Sequence, residues 1–255
     1  RDSIITENTN NYLRRLSNKI KSDIFEHKNY IGGRYSVLSE VGMLPAELMG
    51  LNEKNFKKFN YLIKNKRFLE NLIINVENII QYVKKNKKNS IILNYDESSE
   101  NFFKWYQQLT AESLGKKSKG ITPIISSMPK DNHSLLQLYL DGPKNCFFTF
   151  FNVTSKTSNK QSNKFILDDK KYLKNKNLSE ILEAQEKSTQ NIFRKKNIPF
   201  RSFNIKKKDE NTLGELFCFC VLETILLGNA LKVNPLDQPS VELIKTETKR
   251  LLSKL

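Results

Sequence analysis

Ile91-Ile92-Leu93-Asn94-Tyr95 decides the class of fold. A short apolar run without alternation is what a strand buried on both faces requires. The segment after it, Ser98 to Leu114, reads as a helix, and Gly115 is expected to stop it in the left-handed conformation. The cycle then repeats. Ile121–Ile125 reads as a strand, His133–Leu140 as a helix and the Phe-rich Cys146–Val153 as a strand. Leu178–Lys195 is a helix, Pro199–Ile205 a strand and Leu213–Val233 an apolar helix, with a last helix from about Pro239 to the end. Strands alternating with long helices predict an α/β fold, a parallel sheet with helices on both faces.

Toward the N-terminus the pattern thins. Ser3–Thr6 and Ile24-Phe25 read as strands on either side of a helix spaced by Leu13, Leu16 and Ile20. A loop, Lys28–Gly33, leads into helices over Ser36–Met49 and Asn52–Lys84, the second long and amphipathic. Two strands are too few for a complete sheet. The chain is therefore expected to begin inside one domain, and the run Lys84-Lys85-Asn86-Lys87-Lys88 to introduce a complete second one. The polar stretch Thr154–Lys164 reads as a loop or insertion.

The 255 residues suffice for one large or two small domains, and 38% hydrophobic with 27% charged residues fits a soluble globular chain. The net charge of +16 raises the question of nucleic acid. The lysines, however, spread along the whole length and form short runs beside turns, with no interleaved stacking aromatics. A solvated surface explains them better, and an anionic substrate would benefit from the same field. Cys146, Cys218 and Cys220 are odd in number and unpaired in spacing, so buried thiols in a reducing cytosol are expected rather than disulfides or a metal site. No secretory segment opens the chain, and the apolar run Leu216–Leu227, interrupted by Glu223, is too short for a bilayer span.

Four stretches carry chemistry. Gly32-Gly33-Arg34-Tyr35-Ser36 combines a tight turn, an arginine able to reach an oxyanion and a helix start. A plain Gly-rich turn with a surface arginine accounts for it equally well. Ala111-Glu112-Ser113-Leu114-Gly115-Lys116 puts Glu112 in the last turn of its helix, where backbone carbonyls disfavour a charged carboxylate, as a general base near neutrality would need. Alone, such a glutamate is an ordinary surface residue. Asp131-Asn132-His133-Ser134 sets one of only two histidines at a helix start, where capping is the simpler reading, and His27 offers no functional reading. In Asp237-Gln238-Pro239-Ser240-Val241-Glu242-Leu243-Ile244-Lys245, Pro239 suits the first helical position and Gln238 the N-cap. Lys245 then returns to nearly the face of Gln238.

In this order the four stretches resemble the glucose-6-phosphate isomerase family, bacterial type. Gly-Gly-Arg-Tyr-Ser-Val-Leu-Ser at 32–39 and Asp237-Gln238-Pro239-x-Val241-Glu242-x-x-Lys245 are similar to its two signatures, and the Glu112 and His133 stretches to the blocks between. The resemblance implies two doubly wound sugar-isomerase (SIS) domains, the first incomplete: residues 1–84, 85–235 and a C-terminal active-site helix over 236–255. It implies interconversion of glucose 6-phosphate and fructose 6-phosphate through a cis-enediol(ate), in glycolysis and gluconeogenesis, without metal or organic cofactor. Glu112 would be the base, Arg34 would stabilise the enediolate, His133 and Lys245 would assist ring opening, and Gly33 and Gln238 would hold the sugar. A cytoplasmic homodimer is implied, with His133 reaching the neighbouring subunit, and neither nucleic acid nor membrane as a partner. Leu236 and Ser240 depart tolerably from the family pattern. The family's Ser/Thr-rich phosphate clamp is missing, and Ser155-Lys156-Thr157 only mimics its first letters. A dual phosphoglucose/phosphomannose isomerase and a non-catalytic sugar-phosphate-binding SIS fragment are the alternatives.

Overall fold

The computed structural model describes residues 2–154 and 166–254; the polar run with its Ser155-Lys156-Thr157 lies, Thr154 apart, outside the described residues. Strands β1 (Ser3–Glu7) and β2 (Asp23–His27) flank α1 (Tyr12–Ile20). A 3-10 turn (Gly33–Leu38) leads into α2 (Glu40–Leu48), followed by α3 (Glu53–Phe56), a second 3-10 turn (Lys58–Lys64) and α4 (Lys66–Lys84). Then come β3 (Asn89–Asn94), α5 (Glu100–Leu114), β4 (Thr122–Ser127), α6 (Asp131–Ser134), α7 (Leu136–Asp141) and β5 (Cys146–Val153). The last elements are α8 (Leu178–Lys195), β6 (Phe200–Ile205), α9 (Glu210–Ala230) and α10 (Pro239–Leu252). Two compact units divide the chain: Arg1–Ile80 with Gln108–Gly120 and Asp209–Leu255, and Gln81–Gln107 with Ile121–Lys208.

The second unit holds a four-stranded parallel sheet in the order β4-β3-β5-β6, with Ile91 in register between Ile124 and Phe148. Its central strands are apolar at successive positions because helices cover both faces. Ile91, Leu93, Phe148 and Phe150 pack with Tyr139 of α7 and Phe193 of α8. On the opposite face Phe147 stacks on Tyr82 at 5.7 Å, and Phe151 meets the Phe103 ring edge-on at 4.8 Å. Each buried phenylalanine contributes roughly 1.5–3 kcal/mol. The parallel α/β architecture expected from Ile91–Tyr95 is thus present.

In the first unit β1 and β2 pair in parallel, from Ser3 opposite Asp23 to Glu7 opposite His27. Its core includes Met43, Ala46 and Phe56, with Leu38, Leu213 and Phe217 packed against them. Helix α3 approaches α9 so closely that a Cβ on Gly214 would lie 2.0 Å from the Phe56 carbonyl oxygen. Gly214→Ala is accordingly expected to cost about 1–3 kcal/mol, the range for overpacking, as a lowered urea midpoint with unchanged slope. The apolar run Leu216–Leu227, expected to be too short for a bilayer, sits inside the 21-residue α9, which is long and apolar enough to cross one. It also carries Glu223, fully buried and bonded by the Asn75 amide of α4.

Several boundaries differ from the sequence expectation. The helix predicted over Asn52–Lys84 is three pieces, because Asn52 caps one start by accepting the Lys54 N–H and Asn65 another by accepting that of Phe68. Likewise Ser39 caps α2 and separates it from the 3-10 turn, so Ser36–Met49 is not one helix. The helix expected over His133–Leu140 breaks at Leu135 into α6 and α7. Gly115 is not left-handed; Lys117, Ser118 and Gly120 take the positive φ values of 52°, 58° and 129°. What Gly115 supplies is space, since a Cβ there would sit 2.7 Å from the Ala111 carbonyl oxygen.

Candidate active site

Arg34 lies in the 3-10 turn after Gly32-Gly33 and is 3% exposed. A guanidinium has five N–H donors, and burial makes each unmet one expensive. All five meet acceptors. Nε donates to Ser113 Oγ at 2.8 Å. One terminal nitrogen donates to the Gln238 side-chain oxygen at 2.9 Å and to Glu112 at 3.4 Å; the other donates to the carbonyls of Pro235 at 2.7 Å and Asp237 at 2.9 Å. Tyr35 reinforces the same junction: its hydroxyl donates to the Pro235 carbonyl at 3.0 Å and lies 2.9 Å from Ser113 Oγ. The guanidinium also sits over the Tyr35 ring, 5.2 Å from its centroid.

Glu112 stands in the last turn of α5, its side chain 28% exposed. One oxygen faces Arg34 and the other accepts from Gln108 at 3.0 Å. Both oxygens of the carboxylate are therefore held, with the side chain partly exposed. Gln238 occupies the N-cap position before Pro239 but makes no capping bond, because its amide oxygen is engaged by Arg34. Beside it Lys116 pairs with Asp237 at 2.7 Å, which holds the Asp237 carboxyl below its ordinary range. Lys116 also donates to the Asn234 carbonyl.

The structure thus brings Arg34, Glu112 and Gln238 together, with Gly33 adjacent in the chain; a Cβ on Gly33 would meet nothing within 4 Å. Lys245 lies on α10, and its ammonium bonds Glu242 at 2.7 Å with the side chain 62% exposed. His133 belongs to the second unit, exposed on the short α6. Ser113, Tyr35, Lys116 and the Pro235 and Asp237 carbonyls were given no role by sequence reasoning. The first three stood inside quoted motifs, but two carbonyls leave no trace in a sequence.

The second unit has a cleft of its own, about 1060 Å³, at the carboxyl ends of β3 and β5. That is where parallel sheets commonly bind ligands. Its walls include Asp96, Glu97, Glu183 and Glu186 against Lys187, an acidic lining in a basic chain, and none of the six residues implied by the family pattern.

The family model for phosphoglucose isomerase matches residues 5–255. The chain belongs to that family. The glucose-6-phosphate isomerase of Methanocaldococcus jannaschii is 30% identical over 246 residues, which cover 94% of this chain and 61% of the relative. A probable glucose-6-phosphate isomerase of Methanococcus maripaludis is 34% identical over 236 residues, 90% of this chain and 53% of the relative. The chain therefore spans little more than half the length of these phosphoglucose isomerase relatives. Two crystal structures share the fold. A hypothetical protein of Thermus thermophilus superposes with a TM-score of 0.88 at 23% identity, covering 98% of this chain and 62% of that one. A glucose-6-phosphate isomerase of Chlamydia trachomatis does so with 0.75 at 16% identity, covering 98% and 52%.

Proposed function

We propose that this chain carries the proton-transfer centre of a glucose-6-phosphate isomerase, interconverting glucose 6-phosphate and fructose 6-phosphate through a cis-enediol(ate). The observation that supports this most is the junction of Arg34, Glu112 and Gln238 within one compact unit. In this reading Glu112 takes the proton from C2 of the open-chain aldose and returns it to C1. As Glu112 becomes neutral, negative charge develops on the enediolate oxygens, and Arg34 loses one counter-charge as another appears. Its bond to Glu112, at 3.4 Å the longest of the five, is the one such an exchange would release. A fixed cation aimed at developing charge is the largest electrostatic aid available to a reaction of this kind. Gln238 and the Gly33 backbone hold the sugar, and His133 and Lys245 assist ring opening, with His133 supplied across a homodimer. The fold is read as SIS domains of the doubly wound type, in a cytoplasmic enzyme of glycolysis and gluconeogenesis.

The test is to follow glucose 6-phosphate in D₂O by NMR. Because Glu112 is partly exposed, the abstracted proton can exchange before it returns, and deuterium is expected at C1 of fructose 6-phosphate and C2 of glucose 6-phosphate. Binding of the sugar phosphate with neither interconversion nor deuterium would favour the non-catalytic alternative. Equal turnover of mannose 6-phosphate would favour the dual isomerase.

A further inference from the structure

His27, which offered no function in the sequence, closes β2 immediately before the loop that carries Arg34. Both ring nitrogens face acceptors: Nδ1 meets the Glu40 carboxylate, and Nε2 meets the Ile31 carbonyl at 2.9 Å. A neutral imidazole has one N–H, so two donations require the imidazolium. The alternative, a protonated Glu40 donating to Nδ1, is disfavoured by its surroundings. Glu40 is the first residue of α2, and the backbone N–H groups of Glu40 and Lys28 also point to its carboxylate. We propose that His27, as an imidazolium bonded at once to Glu40 and Ile31, is a positioning residue that fixes the segment presenting Arg34. The bond spans thirteen residues from the end of β2 to the start of α2, with Arg34 near the middle.

The charged and titratable groups around the ring agree in sign. Glu40 faces it from α2 and Glu7 from β1, while Tyr12 of α1 lines the same shallow groove. Next to His27 in the sequence, Lys28 is already paired with Glu26 at 3.0 Å. Burial opposes the charge on His27, but the bonds to Glu40 and Ile31 and the charges of Glu40 and Glu7 outweigh it and raise its pKa above 6.5. For Glu40, burial likewise opposes ionisation, but the backbone N–H groups and His27 lower its pKa below 4.5. A raised histidine stabilises fully below 6.5 and is lost as pH rises through its folded value; a lowered glutamate stabilises fully above 4.5 and is lost as pH falls through its own. The clasp is whole between those two pH values and opens as His27 deprotonates.

Its consequence for catalysis rests on the isomerase reading, whereas the clasp itself is tested without it. With only two histidines in the chain, His133→Gln leaves His27 as the single imidazole to titrate by NMR. Its midpoint is expected above 6.5 and should drop on Glu40→Gln; a midpoint at or below 6.5 overturns the proposal. Amide hydrogen exchange over residues 28–39, corrected for the intrinsic pH dependence, should accelerate several-fold as pH passes the midpoint. His27→Arg keeps a permanent cation with donors for both acceptors and should hold protection flat across the same range. Equal pH dependence in the natural chain and His27→Arg overturns the clasp. If turnover is present, kcat/KM should fall over the same midpoint in the natural chain alone. Absence of turnover at every pH counts against the isomerase reading and leaves the exchange result standing.

Discussion

Glu112→Gln is expected to lower kcat about 10²–10⁴-fold, the usual worth of a positioned general base, with KM little changed. Glutamine keeps the size of the side chain and an oxygen that can still accept from Arg34, so the junction survives while the proposed proton acceptor is gone. Because Glu112 is partly exposed and Arg34 retains four other acceptors, the stability cost should stay near that of an exposed pair, about 0–1 kcal/mol. Chemical denaturation and steady-state kinetics on the same preparation separate the two effects. A variant with near-normal kcat would remove Glu112 from the mechanism. One that unfolds would instead make it a structural residue.

Arg34→Lys reverses that balance, with the larger effect on stability. A lysine ammonium offers three donors where the guanidinium offers five, and it cannot spread across acceptors on opposite sides. At least two of the five bonds would be lost; Glu112, Asp237 and Gln238 can turn to water, whereas the buried Ser113 Oγ and Pro235 carbonyl would share the single Tyr35 hydroxyl. With one buried acceptor left unmet, the loss is about 1–3 kcal/mol. The expected result is a drop in urea midpoint together with lost turnover. A midpoint close to that of the natural chain would mean that water replaces the lost donors, and that Arg34 is not the keystone of this unit.

The sequence disclosed most where burial dictates composition. Ile91–Tyr95 and Cys146–Val153 had to be apolar at successive positions because helices cover both faces, and they read as strands for that reason. Boundaries were harder. The 3-10 turns at Gly33–Leu38 and Lys58–Lys64 place apolar pairs three apart, Tyr35 with Leu38 and Phe59 with Leu62, which over so short a span imitate an α-helix. Asn52 and Asn65 carried the capping signal that divides the long segment, but each also passes for an ordinary polar residue on an exposed face. At the site, motif order pointed to Arg34, Glu112 and Gln238, whereas composition suggested only an arginine near an anion. That this arginine is buried and satisfied by backbone carbonyls could not be read, because every residue type carries the same carbonyl. His27 failed for a similar reason: Glu40 lies thirteen positions away, beyond any local pattern.

The junction at Arg34 also bears on the order in which the chain folds. Its partners are separated from it by 79 residues at Ser113 and by 201 at Pro235. Closing such loops costs conformational entropy before any bond repays it. The parallel strands β1 and β2, and the helices, can form from nearer neighbours, so the junction is among the last contacts to gain by assembling. Substitutions there should therefore be felt in the rate at which the finished unit comes apart, and hardly in the rate at which it forms. The same arginine that would face the substrate's developing charge acts, on this account, as the latch closed at the end of folding.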